Sequence, residues 1–247
     1  MITSETMEAV TVITLARPER RNALGTESMS MLAEALSKAD RDRDTGAILL
    51  AGAPPAFCAG SDLKELGGLS IPEMREHEAA TAAVARGIAF LSKPVVAAVE
   101  GYALGGGFIL AVSCDVVVTA TNTKWQLPEV KNGWLPPWGL QALIARVGPV
   151  KARLITWGAA PIDGAEALRL GVADYAAEAG GLFAHSLAVA QSLANLPRVA
   201  VTSVKRFFEP FATGDGERLD RVASRFFGSD CESPEAKATL DRFTVKA

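Results

Sequence analysis

The stretch GYALGGGFILA, residues 101–111, decides how this chain is organised. The apolar, β-branched run at 94–99 before it is typical of a buried strand, and the unbroken apolar run at 108–113 after it is typical of a buried helix. A strand that ends in a glycine turn and opens a helix presents free backbone N–H groups at the positive end of that helix. The glycines at 105–107 leave this backbone open to a ligand. Such a turn can bind a phosphate or an oxyanion formed during a reaction.

The stretch FCAGSDL, residues 57–63, forms a second turn of the same kind. It follows a predicted strand at 46–52 and a Pro-Pro break, and a short helix is predicted to begin at Lys64 and Glu65. Neither turn carries the Gly-Lys-Ser/Thr sequence of a nucleotide phosphate loop. One such turn alone is a common structural feature, whereas two that converge would form an oxyanion hole.

Composition restricts the classes of function. The 247 residues suit a single domain, with 49% hydrophobic and 21% charged residues, and the net charge of −3 gives no reason to expect nucleic-acid binding. The three cysteines, Cys58, Cys114 and Cys231, are predicted to be buried thiols of a reducing compartment. The N-terminus shows no export pattern, and no apolar run reaches membrane-spanning length. With only two histidines, a histidine metal centre is not expected, and we predict a cytoplasmic protein that binds neither membrane nor nucleic acid.

The periodicity of apolar residues alternates between strands and helices up to about residue 175 and is helical afterwards, which predicts an α/β core of βαβ units with a helical tail. Thr26 is the predicted N-cap of the first helix, and Ser70 with Glu73 begins the third. The predicted strands are 9–15, 46–52, 94–99, 115–120 and 172–175; the predicted helices are 27–42, 70–91, 108–113, 140–147, 150–156, 164–170 and most of 180–247; residues 125–139 are predicted to be irregular.

Several segments spread over the chain match the motifs of one family: RPERRNAL (17–24), AFCAGSDL (56–63), residues 93–107, CD (114–115), LPEV (127–130), AEAL (165–168) and GV (171–172). The chain therefore resembles the enoyl-CoA hydratase/isomerase family, the crotonase superfamily. The resemblance implies a spiral core of ββα turns over residues 1–190. It also implies a helical C-terminal region over residues 191–247 that packs on the core and builds trimers or hexamers. The implied substrate is a coenzyme A thioester.

Carried over position by position, the resemblance makes the backbone N–H groups of Ser61 and Gly106 the oxyanion hole, which agrees with the two turns read from the residues. The positions matched to coenzyme A binding are Arg21, Ala23, Ala59, Gly60, Asp62, Leu63 and Lys64. For Arg21 and Lys64, a solvated surface cation is an equal alternative.

The chain departs from the family pattern at one catalytic position. Hydratases of the family use two glutamates, and where the first would stand this chain has Ile109, which cannot transfer a proton. The second matches Glu129, whose apolar sequence neighbours favour a neutral carboxyl. A single carboxyl suffices to shuttle a proton between carbons, whereas efficient water addition is harder to explain without a second one.

The loop after Glu129 is the second departure. It carries Trp134 and Trp138, which either shape the acyl pocket or pack against the helix at 140–147. Glu65, His77 and Glu78 lie in a segment that lines the acyl pocket in some relatives, so that one of them could supply the missing acid. The alternative, which the sequence favours, is a solvated helix face.

The resulting prediction is an enzyme that forms an enolate of an acyl-CoA and moves the C2 proton with Glu129, most directly in enoyl-CoA double-bond isomerisation. Hydration of a 2-enoyl-CoA and acyl-CoA decarboxylation are the alternatives, and an acyl-CoA-binding protein without catalysis is the alternative of another class. No metal or redox cofactor is predicted, since coenzyme A is part of the substrate.

Overall fold

A six-stranded sheet organises the protein, whose computed structural model describes residues 1–158 and 160–243. Its strand order is β1-β2-β3-β4-β6-β8, and every neighbouring pair is parallel except the antiparallel pair β1–β2. The parallel strands β5 and β7 form a separate two-stranded sheet. The strands are β1 (Ile2–Met7), β2 (Val10–Leu15), β3 (Ala47–Gly52), β4 (Val95–Val99), β5 (Tyr102–Leu104), β6 (Val116–Ala120), β7 (Lys124–Gln126) and β8 (Tyr175–Ala177).

Helices cover both faces of the large sheet and make up most of the C-terminal third. In chain order they are α1 (Thr26–Arg41), α2 (Leu63–Leu66), α3 (Ile71–Gly87), α4 (Gly106–Val112), α5 (Glu129–Asn132), α6 (Leu140–Thr156), α7 (Gly164–Leu170), α8 (Leu182–Ala194), α9 (Arg198–Thr213), α10 (Gly216–Asp230) and α11 (Pro234–Leu240).

The sheet separates two apolar cores because side chains of a strand alternate between its faces. In β3, Ile48 and Leu50 point into the main core with α1 and α4, whereas Leu49 points to the opposite face. There it meets the apolar side of α8, including Leu182 and Ala190. Strands buried on both faces explain the continuous apolar runs of the sequence.

The small sheet positions the two segments that the sequence analysis singled out. β5 leads directly into the glycine turn, β7 leads into the segment of Glu129, and the register pairs Leu104 with Gln126. The N–H of Gly105 then donates to the carbonyl oxygen of Gln126 over 2.9 Å. The end of β7 is thereby fixed beside the start of α4.

Most predicted elements are confirmed, but strands β1 and β5 were not predicted, and the structure differs from the prediction at three further places. Residues 125–139 are not wholly irregular, because they include the end of β7 and the single turn α5. The last strand is Tyr175–Ala177 rather than 172–175. Thr26 is not an N-cap: Gly25 holds that position, and the carboxylate of Glu65 accepts from the Thr26 N–H instead.

The C-terminal helices confirm the predicted helical region, and the breaks near Pro197, Thr213 and Pro234 separate α8 to α11. The predicted boundary between residues 190 and 191 falls inside α8. Residues 244–247 of the second predicted region lie outside the described residues. Among the helices that the structure describes, none combines the length and apolar character needed to cross a membrane.

Candidate active site

Backbone pairing brings together the two segments that were matched to coenzyme A binding. The Ala59 N–H donates to Arg21 O over 3.0 Å, and the Leu24 N–H donates to Gly60 O over 2.8 Å. The Asp62 N–H then donates to Leu24 O, also over 2.8 Å. This short ladder leaves the N–H of Ser61 out of the pairing.

The glycine turn lies against the same ladder. The Leu104 N–H donates to Cys58 O over 3.0 Å, and a Cβ placed on Gly60 would lie 3.1 Å from the nitrogen of Gly106. Gly60 itself has a φ of +86°, a conformation that favours glycine. The N–H groups of Ser61 and Gly106 donate to no acceptor in the part of the chain that the structure describes. The two small-residue turns therefore converge, as the oxyanion-hole hypothesis requires.

Glu129 opens the single-turn helix α5 and points its carboxyl at the glycine turn. A Cβ on Gly105 would lie 2.7 Å from Oε1 of Glu129, so a side chain there would displace the carboxyl, and the φ of +52° favours glycine. The side chain is buried, and its Oε2 has no hydrogen-bond partner among the described residues. Burial raises the pKa of Glu129 to about 8, with the nearby negative charge of Glu78 acting in the same direction. At neutral pH this carboxyl is therefore mostly protonated and unpaired.

Ile109 occupies the position that carries a glutamate in the hydratases the chain resembles. Its side chain is buried in the main core and packs on Gly139, where there is no room for a Cβ. Ile109 is thus an apolar core residue of α4. The backbone of Gly139, directly after Trp138, therefore packs closely on α4.

A second buried carboxylate is connected to the glycine turn through the indole ring of Trp138. Glu78 on α3 is 2% exposed, and its Oε2 accepts a hydrogen bond of 2.6 Å from the indole N–H of Trp138. The Cζ2 atom of that indole would lie 3.0 Å from a Cβ on Gly106. One indole ring therefore separates the Glu78 carboxylate from the backbone of Gly106.

His77 lies between two glutamates and is 8% exposed. Its Nδ1 is 3.7 Å from Oε1 of Glu78 and its Nε2 is 3.8 Å from Oε1 of Glu65, both longer than a hydrogen bond. The carboxylate of Glu78 is the main cause that raises the pKa of His77, while burial opposes it. The expectation of a solvated helix face is wrong for His77 and Glu78, because the α2–α3 segment folds this side inward. Glu65 instead caps α1, accepting from both the N–H and the hydroxyl of Thr26.

The other predicted binding residues occupy varied positions. Arg21 and Lys64 are exposed, and the guanidinium of Arg21 lies 5.6 Å from the ring centre of Tyr102. Asp62 is buried and forms ion pairs with Arg17 and Arg20, at 3.1 Å and 3.0 Å, so its side chain is already occupied. Ala23, Ala59 and Leu63 are half-buried, and Gly60 is buried between the two turns.

The two tryptophans of the loop differ in their surroundings. Trp138 lies in the main core beside Gly106, as described above. Trp134 packs edge-on against Phe227 of α10, with ring centres 6.1 Å apart, in a separate cluster with Leu66 and Met74. The backbone N–H of Trp134 donates to the carbonyl oxygen of Glu129 over 3.0 Å, whereas Trp138 contacts the site through its indole ring.

Sequence reasoning missed the residues that fix these turns. The buried amide of Asn22 donates to the carbonyl oxygens of Ala53 and Ala56, and so ties the segment before Leu24 to the loop before FCAGSDL. Asp220 and Asp230 of α10 accept from the N–H groups of Gly139 and Leu135, which anchors both ends of the Trp138 loop. Asn22 lies in the matched motif RPERRNAL, so the sequence did mark this position. No feature of the sequence connects Asp220 and Asp230 with the Trp138 loop.

The cysteines supply no further catalytic group within the described residues. All three cysteines are buried and free, as predicted, and burial raises the pKa of the Cys58 thiol to about 12. Within residues 1–158 and 160–243, no cluster of three or more histidine, cysteine or acidic side chains is arranged to hold a metal ion. That the reaction needs no metal or redox cofactor stays a prediction.

The chain is similar to known proteins over nearly its whole length. A family model described as enoyl-CoA hydratase/isomerase matches residues 5–247. A probable enoyl-CoA hydratase of Mycobacterium leprae is 37% identical over 207 residues, which cover 82% of this chain and 80% of that protein. The crotonyl-CoA hydratase of Syntrophomonas wolfei is 30% identical over 244 residues, which cover 98% of this chain and 94% of that protein. The crystal structure of an enoyl-CoA hydratase/isomerase from Xanthobacter autotrophicus Py2 superposes with a TM-score of 0.89 at 26% identity, covering 97% of this chain and 91% of that one.

Proposed function

The chain belongs to the enoyl-CoA hydratase/isomerase family and has the crotonase fold, and on that premise we propose that it forms and protonates the enolate of an acyl-CoA. The N–H groups of Ser61 and Gly106 hold the thioester oxygen as it gains negative charge. Glu129 moves the proton at C2. Removing one such amide donor typically costs about 2.7–4 kcal/mol of transition-state stabilisation.

The observation that carries the proposal is the Glu129 carboxyl, buried beside Gly105 with one oxygen unpaired. A group with a pKa near the working pH serves both as acid and as base, and the pKa of Glu129 is raised to about 8. The thioester makes the C2 proton acidic, and the two amides stabilise the resulting enolate. These parts form a complete proton shuttle.

Double-bond isomerisation is the reaction for which these parts alone suffice. The Glu129 carboxylate takes a proton from C2 of a 3-enoyl-CoA, and the electron pair of that C–H bond moves into the enolate. The same carboxyl then returns the proton at C4, which leaves the double bond between C2 and C3. No atom is gained or lost, and Glu129 ends in its starting state.

Hydration of a 2-enoyl-CoA is the second candidate, and two observations favour it. Relatives that cover most of the chain are named enoyl-CoA hydratase and crotonyl-CoA hydratase. In addition, the site contains a second buried carboxylate, Glu78, although it does not come from position 109. A second group serves hydration, because water loses a proton while C2 gains one.

The test incubates the protein in deuterated water with 3-pentenoyl-CoA or crotonyl-CoA and follows the products by mass spectrometry. Isomerisation moves the double bond at constant mass apart from deuterium exchange, and hydration adds one water. Either reaction supports the proposal if it is lost in Glu129→Gln and kept in Glu100→Gln, which changes an exposed carboxylate. Binding of these thioesters with neither reaction would instead favour an acyl-CoA-binding protein.

The oligomer is a separate part of the proposal. Three aromatic side chains of α9, Phe207, Phe208 and Phe211, are each more than half exposed and contact one another. Contiguous exposed apolar side chains of this kind mark interaction surfaces. We expect a trimer or hexamer, and sedimentation equilibrium at several concentrations measures it; a monomer at all concentrations would contradict the expectation.

A further inference from the structure

We propose that Glu78 is the second acid–base group of this site and that it takes the proton of a water molecule added at C3 of a 2-enoyl-CoA. The inference rests on the proposed function, because it assumes the enolate site of Ser61, Gly106 and Glu129. It extends that function by giving the site a hydratase activity that does not depend on a glutamate at position 109.

The first argument is the placement of the Glu78 carboxylate. Its Oε2 is 2.6 Å from the indole nitrogen of Trp138, and the same indole lies against Gly106. The carboxylate is therefore held at a fixed position one ring away from the amide that would bind the thioester oxygen. A rigid helix, α3, carries it.

The second argument is its relation to Glu129. The negative charge of Glu78 is one of the causes that raise the pKa of Glu129, so the two carboxyls interact through the protein interior. Two buried carboxyls, one of which acts on the ionisation of the other, are the arrangement that acid–base pairs use. With Ile109 packed on Gly139, the α4 side of the site offers no competing carboxylate.

The buried imidazole of His77 lies beside the other oxygen of Glu78. Its Nδ1 is 3.7 Å from Oε1 of Glu78 and its Nε2 is 3.8 Å from Oε1 of Glu65, so the protonated ring is ion-paired between two carboxylates. The Glu78 carboxylate is the main cause that raises the pKa of His77. His77 and the indole of Trp138 together fix the orientation of the Glu78 carboxylate.

Hydration at this site adds one water and returns both glutamates to their starting states. The Glu78 carboxylate takes one proton from water, and the water oxygen forms a bond to C3. The electron pair of the C2–C3 double bond moves into the enolate, and protonated Glu129 gives its proton to C2. Glu78 then releases its proton to solvent and Glu129 takes one up, so that the net change is addition of one water.

The alternative is that Glu78 serves only to hold Trp138 in place. Glu78→Gln separates the two roles, because the amide oxygen still accepts from the indole N–H but cannot take a proton. The probes are crotonyl-CoA for hydration and butyryl-CoA in deuterated water for C2 exchange, which needs only Glu129. Glu76→Gln, an exposed glutamate on the same helix, is the matched control.

We expect Glu78→Gln to lower kcat for hydration at least about 100-fold while C2 exchange stays within about fivefold of the parent. Equal losses in both reactions, or hydration at the parent rate, would overturn the proposal. Exchange without any hydration in the parent protein would also overturn it and leave the proposed function intact. Absence of both reactions in the parent would overturn both.

A second variant keeps the test decisive if Glu78→Gln does not fold. Trp138→Phe keeps the carboxylate and removes the indole donor that holds it. We expect hydration to fall about tenfold more than C2 exchange, because a misplaced base loses much of its rate. A decrease that is the same for both reactions would contradict the role of Glu78.

Discussion

The loop that carries Glu129 and the helix that carries Glu78 hold two buried carboxyls in opposite ways. Glu129 sits on a single turn of helix and leaves one oxygen without a partner. Glu78 sits within the long helix α3, with the indole N–H of Trp138 on one oxygen and His77 beside the other. The difference indicates a division of roles: an unpaired, neutral carboxyl is suited to give and take the C2 proton, and an anchored one is suited to act on a second molecule.

The largest effect is expected for Glu129→Gln, which removes the shared proton carrier. Both C2 exchange and any hydration should fall by about 10²–10⁴ in kcat, the range typical of acid–base groups. Binding of the thioester, measured by calorimetry with butyryl-CoA, should stay within about threefold because the amide is isosteric. Full activity in this variant would contradict the assignment of the C2 proton to Glu129.

Gly105→Ala should move the Glu129 carboxyl without changing its chemistry. The new Cβ would lie 2.7 Å from Oε1, and the φ of +52° at this position disfavours any side chain. A misplacement of about 1 Å costs roughly 10²-fold in rate, so C2 exchange should fall by about that factor. Gly87→Ala, where a Cβ meets nothing within 4 Å, is the control that should leave exchange unchanged.

A smaller effect concerns stability, since the pKa of Glu129 is raised from 4.5 to about 8. The native carboxyl keeps a proton that the unfolded chain releases, so the free energy of unfolding of the parent decreases as pH rises through this window. Glu129→Gln has no carboxyl to titrate at this position. The free energy of unfolding of the variant minus that of the parent should therefore increase by on the order of 3 kcal/mol from about pH 5 to about pH 8. Urea unfolding at several pH values measures it; a constant difference would show that Glu129 titrates normally.

The same contrast explains what the sequence could predict. Runs such as 46–52 and 94–99 and the turns at 57–63 and 105–107 are set by local patterns, and the structure confirms them. The position of Glu129 followed from the LPEV motif. Its burial beside Gly105 depends on the pairing of β5 with β7, two strands of three residues that carry almost no periodic signal.

The burial of His77 and Glu78 could not be predicted from the helical pattern alone. His77 and Glu78 are polar residues on an amphipathic helix, for which an exposed face is the ordinary expectation. Glu78 accepts from Trp138, which lies in a loop 60 residues away, and Asp220 and Asp230 of α10 fix that loop. Such contacts depend on tertiary packing that no local pattern encodes.

The pH dependence of kcat/KM tests most directly the claim that Glu129 is the neutral carboxyl that moves the C2 proton, because this quantity reports the ionisation of the free enzyme. For isomerisation of 3-pentenoyl-CoA, in which Glu129 starts as the base, kcat/KM should rise with pH and level off above a pKa near 8. For hydration of crotonyl-CoA, in which it starts as the acid, kcat/KM should fall above the same pKa. For either reaction, the change of kcat/KM around this pKa should be absent from the residual activity of Glu129→Gln. A profile that is flat across this range, or a step that persists in Glu129→Gln, would contradict the account.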